Sequence, residues 1–130
     1  MLESDHQAMN DLQILRERGA PEALLAAIAA SGLPAAAARA AVERISSINR
    51  LRRLFSPKAR LSERELARLK AVATLAADVA NDEGGADGAA RFWGVEMPWL
   101  GGRTPAYWLA RGDIGMIEDL RARINYGIPP

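Results

Sequence analysis

Proline and glycine stand at the ends of almost every apolar-periodic segment of this chain, and that punctuation confines it to short helices. Pro21, Pro34 and Pro105 occupy starts, where a missing N–H costs nothing, while Gly19, Gly32, Gly112 and Gly127 occupy stops. Between them apolar residues recur at three- and four-residue spacing. No period-two run of β-branched residues is long enough to compete. The expected fold is all-α, a small bundle of six or seven helices.

Ser4-x-x-Gln7 reads as a capping box opening a first helix, with Met9, Leu12 and Leu15 on one side. A second carries Leu24, Leu25 and Ile28 and ends at Ser31-Gly32. A third runs from Pro34 through Val42, Ile45, Ile48, Leu51 or Arg52, and Phe55 to Pro57, with a break or bend at Ser46-Ser47. Leu61-Ser62-Glu63-Arg64-Glu65-Leu66 is the best start signal: Ser62 and Glu65 form a capping box, and Leu61 and Leu66 a hydrophobic staple. That helix extends through Leu69, Val72, Ala76 and Val79 to about Ala80. Asn81–Gly88 reads as a loop on composition, followed by a short helix over Ala89–Trp93. Leu100-Gly101-Gly102-Arg103-Thr104-Pro105 is a turn in which Thr104 caps a helix over 105–111. Asp113 caps the last helix, 113–126.

Catalytic chemistry finds little to work with. There is no cysteine, and the one histidine, His6, stands near the start of the chain. A thiolate zinc site or a Ser-His-Asp system therefore has no partners to build it. Asp82, Glu83 and Asp87 lack the spacing and terminal glutamate of a calcium loop. Gly101–Thr104 lacks the Gly-Lys-Ser/Thr ending of a phosphate-binding loop. No enzyme activity, metal or cofactor is expected. No apolar run reaches membrane-spanning length and no targeting segment is visible, so a cytoplasmic protein is expected.

Charge and aromatics are unevenly spread. Residues 39–70 hold ten Lys/Arg against three Glu, a balance of +7, whereas 1–38 and 71–130 each come to −3. Such a basic middle either contacts nucleic acid or joins its own neighbours. Six of the seven aromatics fall between residues 92 and 126. The chain accordingly divides into an N-terminal helical region, 1–60, and a C-terminal module, 61–130. The first is a degenerate helix-turn-helix or a dimerisation element; the second is the candidate binding module.

Trp93, the Leu100–Pro105 turn, Gly112 and Gly115, and the closing Leu120…Ile124-Asn125-Tyr126-Gly127 occur in an order that resembles the C-terminal domain of the Xre/MbcA/ParS family of antitoxins. The likeness covers roughly the second half of the chain. It implies a type II antitoxin that binds a partner toxin, a RES-domain enzyme consuming NAD or an ADP-ribosylating relative, and blocks its active site. The toxin-binding residues would be Trp99, Leu100, Gly101, Gly102, Arg103, Thr104, Tyr107 and Trp108, together with Asn125, Tyr126 and Ile128 of a tail free to reach the toxin's pocket. An exposed aromatic beside Arg is the composition of a binding hot spot. Trp93 is expected in the core, while core and interface are evenly matched for Trp99. Tyr107 and Trp108 are adjacent, so one of them must face outward.

Two further partners are expected. The alanine-rich N-terminal helices offer a surface for homodimerisation. The alternative function is a DNA-binding regulator contacting phosphates through Arg50, Arg52 and Arg53. Helices 21–31 and 34–45 fit a helix-turn-helix poorly, because Pro34 sits in the would-be turn and the second helix is nearly all alanine.

Overall fold

A computed structural model describes residues 2–44, 55 and 59–129, with side chains from residue 10 on. Among the described residues there are seven helices and no strand, the all-α bundle expected. In chain order they are α1 (Leu2–Glu17), α2 (Glu22–Ala29), α3 (Ala35–Glu43), α4 (Glu63–Asp82), α5 (Ala86–Gly94), α6 (Pro105–Ala110) and α7 (Ile114–Asn125). A 3-10 turn, Pro98–Leu100, precedes α6.

The capping box of α4 is formed as its sequence dictates. Ser62 Oγ accepts from the Glu65 N–H at 3.1 Å, and a Glu65 carboxylate oxygen accepts from the Ser62 N–H at 2.9 Å. Leu61 is buried and Leu66 lies partly buried against the same core. Thr104 and Asp113 likewise cap α6 and α7 through the N–H groups of Tyr107 and Met116.

Three boundaries differ from the sequence expectation. Helix α1 begins at Leu2, so Ser4 and Gln7 lie inside it and do not open it. Helix α3 ends at Glu43, because Arg44 leaves the helical region at φ −95°, ψ 64°. The continuation expected through Ile45, Ile48 and Leu51, the bend at Ser46-Ser47 and the stop at Pro57 lie outside the described residues; Phe55 is exposed. The loop expected over 81–88 shrinks to Glu83–Gly85 between α4 and α5. Packing overrides composition there. Gly88 and Ala89 are buried, and a Cβ at Gly88 would stand 2.1 Å from the Glu83 carbonyl oxygen.

Helix α4 packs on α2 and α3, α3 also on α1 and α6, and α6 on α5 and α7. One apolar cluster results, running from Leu15, Leu25, Ile28 and Val42 through Leu69, Val72 and Val79 to Trp93, Leu109, Ile117 and Leu120. It draws on both the 1–60 and the 61–130 regions. Each such aliphatic side chain contributes about 1.5–3 kcal/mol on full burial. Gly32, at φ +83°, brings the α2–α3 turn against α5; a Cβ there would lie 2.2 Å from the Ala86 carbonyl oxygen.

A buried ion network joins α1, α3 and α4. Arg18, 3% exposed, donates to Glu43 at 2.8 Å and to both Glu65 carboxylate oxygens at 3.2 Å. Its Nε donates to the Ala59 carbonyl, and its own carbonyl accepts from the Leu61 N–H at 2.8 Å. Arg39 extends the network from Glu43 to Asp11. Glu65 thus serves at once as capping residue and as counter-ion. Among the described residues no helix is long and apolar enough to cross a membrane.

Candidate functional site

The Gly-Gly turn is a tightly bonded corner. Gly101 and Gly102 take φ +71° and +77°, which strain any residue carrying a Cβ. The Gly102 N–H donates to the Met97 carbonyl at 3.0 Å, and the Met97 N–H to the Arg103 carbonyl at 3.2 Å, closing an isolated antiparallel bridge. Leu100 is buried beneath, whereas Gly101, Gly102 and Arg103 are exposed. Open space surrounds both glycines, so their hydrogen atoms serve the backbone angle and not a close internal approach.

The adjacent aromatics divide their work. Trp108 turns beneath the corner, its Nε1–H donating to the Leu100 carbonyl at 2.9 Å. Tyr107 meets it edge to face, ring centroids 5.3 Å apart, and faces two arginines. The guanidinium carbon of Arg103 lies 4.8 Å from the Tyr107 ring centroid and that of Arg111 5.5 Å. Trp93 is wholly buried, as expected. Trp99 is half-buried under Arg123, whose guanidinium carbon stands 4.7 Å from the ring centroid. That contact joins the corner to the end of α7.

The tail is tied back, contrary to the expectation that it is free. The Gly127 N–H donates to the Ile124 carbonyl at 3.0 Å and the Ile128 N–H to the Arg123 carbonyl at 2.9 Å, the paired bonds of a Schellman cap. Arg123 donates to the Pro129 carbonyl as well. Asn125, Tyr126 and Ile128 remain exposed, Tyr126 to 83%. With Val95 and Ile124 they leave an apolar edge beside a groove lined by Phe92, Met97 and Arg91.

The basic middle is partly consumed by the fold. Arg39 is held by Asp11 and Glu43, and Arg68 donates to the Gly112 carbonyl at 2.9 Å. Arg50, Arg52 and Arg53 lie outside the described residues. Helix α3, the second helix of the would-be helix-turn-helix, buries Ala35, Ala37, Ala38, Ala41 and Val42, and its one arginine, Arg39, is paired with Asp11 and Glu43. Asp82, one of the acids weighed as a cation ligand, pairs with Arg121 at 2.6 Å. No group of three His, Cys, Asp or Glu capable of holding a metal occurs among the described residues.

Sequence reasoning missed Arg18 and the Arg–Tyr–Arg stack. The four-residue spacing of Arg103, Tyr107 and Arg111, which puts an arginine on either flank of α6, was the signal for the stack. Nothing local marks Arg18, because Glu43 and Glu65 reach it from distant positions. Comparison with protein-family models, curated proteins and solved structures finds no match to this chain.

Proposed function

We propose that the chain is a protein-binding inhibitor, an antitoxin that occupies the active-site cleft of a RES-type NAD-consuming or ADP-ribosylating toxin. The observation that carries this reading is the contact of Arg123 with Trp99. It makes one continuous surface of the Gly-Gly corner, the Arg103–Tyr107 stack and the exposed end of α7. Rigid aromatics, arginines and an adjoining apolar edge are what a hot spot of standard interfaces contains.

On this reading inhibition is steric. The corner docks on the rim of the toxin's cleft, and Tyr126 and Ile128, presented by the capped end of α7, close its mouth. Because the corner and the cap are both bonded in place, little ordering entropy is lost on association. The composition supports binding over catalysis, with no cysteine and a single histidine in the sequence.

The test is co-expression with the product of the adjacent gene, followed by purification and an assay of NAD turnover. A stable complex with suppressed turnover supports the reading. An enzyme that stays active and does not co-purify overturns it.

A further inference from the structure

We infer that Arg103, Tyr107 and Arg111 form a receptor for a pair of carboxylates on the surface of the partner protein. The inference rests on the binding reading above and adds the chemistry of the partner.

Arg103 and Arg111 are both exposed, and neither has a carboxylate partner among the described residues. They are nevertheless held. Both lie over the ring of Tyr107, and Arg111 also donates to the Tyr107 hydroxyl at 3.4 Å. A guanidinium stacked on an aromatic face keeps its edge N–H groups in plane and available for bidentate contact with a carboxylate. The side-chain entropy that an unsupported arginine would lose on binding is already partly spent. The phenolic hydroxyl, while accepting from Arg111, retains its own proton to donate outward.

The complementary surface is acidic and local. Two carboxylates one helical turn apart, on Cβ atoms about 5–6 Å from each other, offer one anion to each of two cations gathered at a single ring. A continuous polyanion fits less well. Residues 71–130 carry a net −3, and Glu118 and Asp119 stand exposed on the neighbouring α7.

The test uses the full chain and an alanine-based helical peptide bearing Glu at i and i+4, followed by NMR of the arginine Nε–H groups. The inference expects shifts at Arg103 and Arg111, no shift with the Gln version of the peptide, and at least tenfold weaker binding by Arg103→Gln/Arg111→Gln. An Arg103→Lys/Arg111→Lys protein, which keeps the charge and loses the planar fork, should fall between them. Thermal midpoints of the variants close to wild type confirm that the fold persists. Absence of shifts, equal response to the Gln peptide, or tighter binding of a DNA duplex through the same two arginines would overturn it. No toxin is present in the assay, so its failure leaves the antitoxin reading standing, and failure of that reading leaves the peptide result intact.

Discussion

The indole N–H of Trp108 donates to the carbonyl of Leu100 at 2.9 Å, so a residue of α6 holds the corner that precedes it. The bond crosses from the half-buried side of the helix to the last residue of the 3-10 turn. It fixes the corner relative to Tyr107, whose ring carries the two arginines.

Replacing Trp108 with Phe should therefore loosen the corner before it unfolds the protein. Loss of the hydrogen bond costs about 1 kcal/mol, and the smaller ring adds a packing loss. Urea unfolding measures the total. Amide hydrogen exchange should accelerate at Gly101, Gly102 and Arg103 more than in α4; uniform acceleration would contradict the latch.

The glycines separate two kinds of constraint. Gly32→Ala must place a Cβ 2.2 Å from the Ala86 carbonyl oxygen, whereas Gly101→Ala meets nothing within 4 Å. Both take a left-handed backbone, which costs an L residue about 1–2 kcal/mol. Gly101→Ala should show that cost alone, and Gly32→Ala substantially more as α5 is pushed from the α2–α3 turn. Thermal unfolding of the pair gives the comparison, and equal losses would contradict it.

Arg18→Met should be the most damaging single change outside the apolar core. It leaves Glu65 buried without this cation while Glu43 keeps Arg39, and breaking a buried pair in this way costs about 3–5 kcal/mol. Arg18→Lys should rescue little, since one ammonium cannot span two carboxylates and the Ala59 carbonyl. Urea midpoints check both variants. A wild-type midpoint for Arg18→Met would show that the network carries no stability.

Much of this architecture is legible in the residues. Ser62 and Glu65, Thr104 with Pro105, and Asp113 announce helix starts through local chemistry, and the structure forms each cap. Where tertiary packing decides, local signals fail. The polar run 81–88 reads as a loop, yet the burial of Gly88 and Ala89 draws α5 forward to Ala86. The Arg18 network is invisible for the same reason, because its partners stand 25 and 47 residues away. The candidate surface divides along the same line. Its turn is written in adjacent residues, while the stacking of Arg123 on Trp99 depends on how the end of α7 returns to the corner.

The central claim is tested most directly by titrating the purified chain into the product of the adjacent gene, the toxin proposed as its partner, while following NAD consumption, using wild type, Arg103→Glu and Ser62→Ala. Ser62→Ala loses a helix cap worth about 0.5–2 kcal/mol, outside the corner, and controls for general destabilisation. The account predicts inhibition by wild type and by Ser62→Ala at similar concentrations, with at least tenfold more Arg103→Glu required. Equal inhibition by Arg103→Glu, or no inhibition by any of the three, would contradict it.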